Sequence, residues 1–315
     1  MARFAIRRIA QMLVVLFAVS VLTFLIFNVI PGGDPALRMA GRQPQPGQLH
    51  RIREDWGFND PIYVQYAKTM QQVFSGDLVS YSTQENVWDE VKGRIPRTLS
   101  LAIGAAIMWM LFATAVGLYT AVKAGKFADR SLTVLALVGI SMPVFWVGAL
   151  MNYYLGFKAG IFPNGGYTPF FDDPVDWAYH LIMPWTALSL LFIGVYSRIL
   201  RSNVLDTINE DYVRTARAKG LSERQVLLRH VLRNSMIPIV TLWGLDFGAV
   251  LGGGAILTET VFELQGVGQY AAESINELDV PPVLFVVIFG AFFIVLLNTI
   301  VDILYAALDP RVRLA

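Results

Sequence analysis

The sequence contains no cysteine, which excludes disulfides, thiolate chemistry and cysteine-held metals together. Histidine is almost missing as well: His50, His180 and His230 stand far apart, without metal-ligand spacing. Charge is scarce. Only 16% of the 315 residues are Asp, Glu, Lys or Arg, against 55% hydrophobic. A soluble domain carries about 25% charged residues, so this chain reads as a membrane protein. The formal net charge of +1 makes no case for nucleic acid, and no such partner is expected. A phosphate-binding P-loop is missing too. The one Gly-Lys pair, Gly125-Lys126, is followed by Phe127, and Thr120 occupies the place of the first glycine. No nucleophile–base–acid set is visible, so an enzyme, a metal site and a bound nucleotide are all unexpected.

What is abundant is long apolar runs. A helix needs about 20 apolar residues to cross a bilayer core. Six stretches qualify: Ile9–Ile30, Thr98–Val122, Ser131–Phe157, Leu181–Leu200, Met236–Thr258 and Val283–Leu308. The first follows Arg3, Arg7 and Arg8, but its run is too long for a signal peptide and no small-x-small site follows Ile30, so it reads as a retained span. Basic residues set the expected orientation. The N-terminus, the Lys123–Arg130 turn, the Arg198–Ser235 loop and the C-terminal tail carry 3, 3, 8 and 2 of them. The short opposite loops carry only Lys158 and none. The 31–97 segment has eight, but long loops cross largely regardless of charge. The expectation is an all-α polytopic protein with six spans and both termini cytoplasmic, in the plasma membrane of a prokaryote.

Three parts follow. Residues 1–30 form a tail and first span, 31–97 an external loop or small subdomain, and 98–315 a five-helix core with a cytoplasmic loop over 201–236. Within 31–97, Pro31-Gly-Gly-Asp-Pro35 stops the first span and Gln43-Pro-Gln-Pro-Gly47 reads as a linker. Tyr63–Phe74 has apolar residues at helical spacing and reads as a surface helix. The last external loop, 259–282, is acidic: Glu259, Glu263, Glu273, Glu277 and Asp279. It reads either as a solvated loop or as an external docking surface. No internal repeat or low-complexity segment stands out.

The most informative stretch is Asn209–Pro238, basic and set between two spans. Asn209 is a good N-cap, with Glu210 and Asp211 at the positive end of the helix dipole. Arg214, Arg217 and Lys219 crowd the other end, and Gly220 supplies a left-handed C′ position. Ser222 and Gln225 then form a capping box that starts a second helix, with Leu221 and Val226 as its staple. Two short capped helices joined by a sharp bend read as a docking device for a soluble partner; a helix lying on anionic lipid is the plainer reading.

The segment Tyr212-Val-Arg-Thr-Ala-Arg-Ala-Lys-Gly220-Leu-Ser-Glu-Arg-Gln-Val-Leu-Leu-Arg-His-Val-Leu-Arg-Asn-Ser-Met-Ile-Pro238 resembles the "EAA" loop of ABC importer permeases. Its form is similar to the B-type subunit of the dipeptide/oligopeptide/nickel group. Ile30-Pro-Gly-Gly-Asp-Pro-Ala36, Gly76-Asp-Leu, Met142-Pro-Val-Phe-Trp146 and Glu259-Thr-Val-Phe…Gly266-Val-Gly268 agree with it, in order along the whole chain. Arg214, Thr215 and Ala216 stand where the general pattern has Glu-Ala-Ala, and Arg233 where it has proline. The resemblance implies a type I importer permease fold. It implies a second homologous permease, two cytoplasmic ATPases that hold ATP and Mg, and an external binding protein. It places the ATPase-coupling helix around 209–220, with Tyr212, Val213 and Ala216 as buried contacts. Arg214, Thr215, Arg217 and Lys219 then surround them, and Gly220 makes the bend.

Ionisable residues within spans are few. Asp246 lies mid-span near Trp243, whereas Asp302, Arg198 and Arg201 lie near span ends, where they snorkel or pair with each other. Asp246, Trp146 and Met142 are the candidate pathway residues. Two other readings stay open: a stand-alone carrier driven by protons through Asp246, or a scaffold that moves nothing. Gly252-Gly253-Gly254 reads as a helix break or as close helix packing.

Overall fold

The computed structural model describes residues 2–29, 35–40 and 47–308. The stop after the first span, the linker short of Gly47 and the C-terminal tail lie outside the described residues. The described residues form helices and one isolated β-bridge, Val79 to Asn86. They run α1 Ala2–Val29, α2 Pro35–Ala40, α3 Gln48–Asp55, α4 Ile62–Ser75, α5 Val87–Val122, α6 Phe127–Ser141, α7 Val144–Lys158, α8 Pro174–Thr207, α9 Asp211–Ala218, α10 Glu223–Gly254, α11 Ile256–Val261, α12 Val267–Asn276 and α13 Val280–Leu308. Helices dominate because a bilayer core supplies no water to satisfy an open backbone.

Five of these helices are long and apolar enough to cross a membrane: α1 from Ile6 on, α5, α8, α10 and α13. The third expected span departs from the sequence reading. It is two helices, α6 and α7, bent by 99° at Met142-Pro143. Proline lacks the amide that would continue the ladder and disfavours helical geometry at the residue before it. Met142 is accordingly extended. The expected boundary at residue 97 also falls inside one helix, since α5 starts at Val87, capped by the Asn86 side chain on the Asp89 amide.

The centre is the α5–α8 pair. Small residues on α5 (Ala102, Ala105, Ala106) and the wholly buried Trp109 meet Leu181, Met183, Ala187 and Leu188 of α8. Trp109 stacks on Phe192 with ring centroids 4.3 Å apart. Gly104 leaves room for Trp185, whose ring would lie 2.0 Å from any Cβ there. α10 seats on α13 along Gly244, Gly248 and Gly252, and at Gly252 a Cβ would stand 2.9 Å from the Gly290 carbonyl. Gly253 (φ 133°) then breaks the helix. Both readings of the triple glycine therefore hold, at different residues.

At the end of the bundle opposite the basic loops, the acidic segment is only partly solvated. Glu259, just past α10, is fully buried. Its Oε1 accepts from the Thr98 hydroxyl at 2.7 Å and its Oε2 from the Gln269 amide at 2.8 Å. Thr98 in turn accepts from the Val267 amide. Gly266 and Gly268 allow this cage: a Cβ on Gly266 would lie 2.3 Å from the Glu259 carboxyl carbon. Asp279 is buried too, accepting from the Ser80 hydroxyl and the Tyr81 amide, so it ties the 76–86 segment to the start of α13. Glu263, Glu273 and Glu277 stay exposed. The surface helix expected over 63–74 is α4, whose Tyr66 hydroxyl bonds Ser20 of α1 at 2.8 Å.

Burial pushes the Glu259 carboxyl above its ordinary 4.5, while Thr98 and the Gln269 and Gly268 amides pull it back. The unfolded chain therefore ionises first, and stability falls as pH rises above 4.5. Glu259→Gln should remove that slope. It should also cost about 1–3 kcal/mol, because its NH₂ would face a cage of donors. Gly266→Ala should destabilise as well, by a similar amount. Thermal unfolding of the purified protein between about pH 4 and 8 checks all three.

Candidate functional site

The site is built at the basic end, where α8, α9 and α10 meet. α9 opens without the expected cap: Glu210 takes the N-cap position with no side-chain bond, and the Asn209 amide donates back to the Leu205 carbonyl instead. α8 runs on to Thr207, so Asn209 is spent closing that helix. The C-terminus of α9 follows the sequence reading. Gly220 has φ 77°, its amide bonds the Arg217 carbonyl, and the Leu221 amide reaches back to Ala216. This paired closure is the Schellman motif.

The capping box at Ser222 also forms, with Gln225 N to Ser222 Oγ at 3.4 Å and Ser222 N to Gln225 Oε1 at 3.2 Å. The helix it starts is not short. α10 continues through a wide π-type turn over Val226–Leu232 and on to Gly254 without leaving helical geometry before Gly253. The second short helix expected after Gly220 and the fifth span are thus one 32-residue helix.

Three contacts stiffen the corner. Arg217 grips Glu223 across the turn, Nε to Oε1 at 2.9 Å, and reaches the Ile208 carbonyl with Nη1. The Ser235 hydroxyl lies 3.2 Å from the Asn203 carbonyl and 3.1 Å from the Thr207 hydroxyl, while the Asn203 amide donates to the Ser235 carbonyl. Asn234 donates to the Tyr212 hydroxyl at 2.7 Å. Val213 and Ala216 are buried in a cluster with Leu200, Val204, Val226, Val231 and Ile239 of this same chain. That corrects the expectation for these two residues. They seat α9 on its own bundle, three apart on one face, and do not offer themselves to a partner. Tyr212, Arg214, Thr215 and Lys219 face outward, with Gly220 exposed beside them. The rows of the helix decide this: burial at 213 and 216 turns 212, 215 and 219 away.

With this geometry in place, comparison with known proteins gives the family. Residues 113–314 match the family described as "Binding-protein-dependent transport system inner membrane component". Residues 1–102 match its N-terminal companion, "Binding-prot-dependent transport system membrane comp, N-term". This chain belongs to that permease family. It is 36% identical over 99% of both chains to a protein of Brucella abortus (strain 2308) whose name places it in a peptide transport system as a permease. It is 35% identical, over 99% of both chains, to the glutathione transport system permease protein of Escherichia coli O6:H1. A dipeptide transport system permease protein of Alkalihalophilus pseudofirmus is 33% identical, over 99% of this chain and all of the relative.

The other candidate residues of this permease lie elsewhere. Asp246 is half-buried in α10, where it accepts from the Tyr196 hydroxyl of α8 at 2.5 Å. Trp243, one turn away, donates to the Ala106 carbonyl. Met142 stands at the α6–α7 break and Trp146, 46% exposed, one turn beyond it. The structure therefore does not gather Asp246 and the coupling residues into one site. The span-end charges also pair otherwise than expected. Asp302 bonds Arg8 at 3.2 Å, Arg201 holds Asp129 at 2.7 Å, and Arg198 lies exposed. Sequence reasoning missed Glu223, Asn203, Ser235 and Asp129. Only Glu223 left a local trace, as an acid beside a capping box and a short reach from Arg217.

Gly220→Val should strain the corner by about 1–2 kcal/mol, since a β-branched residue resists the left-handed region. Amide hydrogen exchange over 216–226 should then rise, with α5 and α8 unchanged. Equal protection in both proteins would count against a stiff corner.

Proposed function

We propose that this chain is the membrane-spanning permease subunit of an ATP-driven importer, forming half of a pathway for peptides. The observation that carries the reading is the α9–α10 corner. An exposed helix face is held by two caps, a bidentate salt bridge and a buried seat, and it is continuous with a spanning helix. A flexible loop would absorb any push from a soluble partner, whereas this corner passes it into the bundle. Tyr212, Arg214, Thr215 and Lys219 are the contact residues, with Arg217 and Gly220 keeping the corner's shape. The partners are two cytoplasmic ATPases that carry ATP and Mg, a second permease related to this one, and an external binding protein. The basic end is cytoplasmic, following the distribution of Lys and Arg, and the chain sits in the inner membrane of a prokaryote.

Peptides are the proposed solute because relatives of full length are named for peptide, dipeptide and glutathione transport. The pathway runs past the α6–α7 break and the Gly253 kink. Non-helical backbone at membrane depth is tolerated where protein covers it or where it lines a watery cavity. Met142 and Trp146 at the break, and Asp246 on the kinked helix, are the lining candidates. The Tyr196 bond makes Asp246 a braced carboxylate, which does not support the proton-driven alternative.

Purification from native membranes tests the reading. A six-span homologue and one or two P-loop ATPases should come with the chain, and its recovery alone would sink the proposal. In reconstituted vesicles, Gly220→Val should hydrolyse ATP with transport reduced about tenfold or more. Asp246→Asn keeps an acceptor for Tyr196 and should transport without dependence on a proton gradient.

A further inference from the structure

A groove of about 920 Å³ opens between α6 and α8 at the basic end, away from the α9–α10 corner, and reaches along α6 to Ile140 just short of the α6–α7 break. Its two ends differ in chemistry. At the mouth stand Arg130, Arg198 and the Arg201–Asp129 pair, with Ser202 and Thr133 beside them, the Thr133 hydroxyl turned to Asp129. Asp129 is already saturated: it takes both the Nε and Nη2 of Arg201, at 2.7 and 2.8 Å, and the Gly125 amide at 2.9 Å. It has nothing left for the other two guanidinium groups. Arg130 and Arg198 are exposed, and neither side chain makes a hydrogen bond or ion pair among the described residues. Deeper, the walls are Val134, Ile140, Val195 and Ile199. From Asp129 to Ile140 the groove follows α6 for about 16 Å, close to the ~15 Å hydrocarbon depth of one leaflet.

We propose that this groove binds an anionic phospholipid, its phosphate between Arg130 and Arg198 and one acyl chain along Val134 and Ile199. Charge complementarity selects the occupant. Two unpaired cations over an aliphatic trough match a headgroup above a tail, and basic pockets between spanning helices recur as anionic-lipid sites. A peptide in transit would need polar groups along its length, and the deep walls offer none. A second permease subunit would have to bring two acids to the mouth.

The site also has a mechanical position. Asp129–Arg201 fastens the start of α6 to α8, and α8 runs from Arg201 straight to the α9 seat. A phosphate at Arg198 sits one turn from that tie. Calling the lipid an inner-leaflet one rests on the basic end being cytoplasmic. The binding itself does not, and symmetric vesicles separate the two.

The chain has no cysteine, so Val134→Cys gives one fluorescent reporter at the trough, where the native side chain is 57% exposed. The full chain, with whatever subunits accompany it, is placed in symmetric vesicles containing brominated phosphatidylglycerol or brominated phosphatidylcholine. Quenching should favour phosphatidylglycerol by about tenfold in apparent affinity. R130Q/R198Q should abolish the preference, and R130K/R198K should keep most of it. Equal quenching by both lipids would overturn the proposal. So would loss of the preference in the lysine variant, because attraction to phosphate needs only the charge. A reporter shielded from lipid, with Val134→Cys cross-linking in high yield to a second permease, would make the groove a subunit interface and end the proposal, leaving the importer reading intact.

Discussion

The amides of Gly220 and Leu221 fold back onto α9, and two residues later the Ser222 side chain starts α10. Between these two sets of bonds the chain turns a corner with no free residue. The rest of the basic end depends on that economy. Without a left-handed residue at 220, the orphan carbonyls of α9 would need other donors, and α10 could not begin where it does. Val213 and Ala216 would then lose their register against Val226 and Val231. Arg217 could no longer span from Ile208 to Glu223. Each of these contacts is modest alone, an exposed ion pair contributing under about 1 kcal/mol and a cap about 1 kcal/mol. Together they fix one geometry, since each removes freedom the next would otherwise have to remove.

The opposite end is held by a different device. There the buried Glu259 of α11 takes the Thr98 hydroxyl of α5 and the Gln269 amide of α12, and Thr98 takes the Val267 amide, so that α11 and α12 close around one carboxyl group and lock onto α5. One carboxyl side chain serves here because its two oxygens accept from two different helices. Two glycines let the backbone come close enough. The outcome is that α5, which begins 11 residues before Thr98, is anchored to α11 and α12 by polar contacts and to the middle of α10 by the Trp243–Ala106 bond.

The fold class was legible in the sequence because apolar length is a local property: among the described residues four of the six runs fall within single helices, one bends where Pro143 follows Met142 and one breaks at Gly253. Caps were legible where they depended on neighbours, as at Ser222 and Gly220. Asn209 misled because α8 overran its apolar stretch and claimed that residue. Which face of α9 is buried could not be read locally. Val213 and Ala216 look equally suited to a partner, and only the positions of Val204 and Val231, brought in by tertiary packing, decide against it. Long-range partners such as Asp129 with Arg201, 72 positions apart, leave no periodic trace. Glu259 reads as one acid among five until the glycines around it are seen to be full of its carboxyl group.

A lever must be stiff along its length and yield at its ends, and α10 has that distribution. Its middle, Arg233–Ala249, is regular α-helix, fixed to α13 where Gly244 and Gly248 let Val301 and Leu297 approach. Its two ends carry π-type turns, Val226–Leu232 beside the corner and Val250–Gly254 before the Glu259 cage. Such turns interrupt the α-helical ladder and are frequent at functional sites. The first departure from the α-helical ladder after the corner therefore lies within α10 itself. The paired α10–α13 rod then runs unbroken to Gly253, whose backbone has left the helix. The glycine seam gives the rod its second support: at Gly252 and Gly290 backbone approaches backbone, and the Ile294 side chain packs against Gly252 where a Cβ would stand. The departures from regular helix in α10 thus lie at its two ends, one beside the α9 corner and one beside the Glu259 cage, with the paired rod between them.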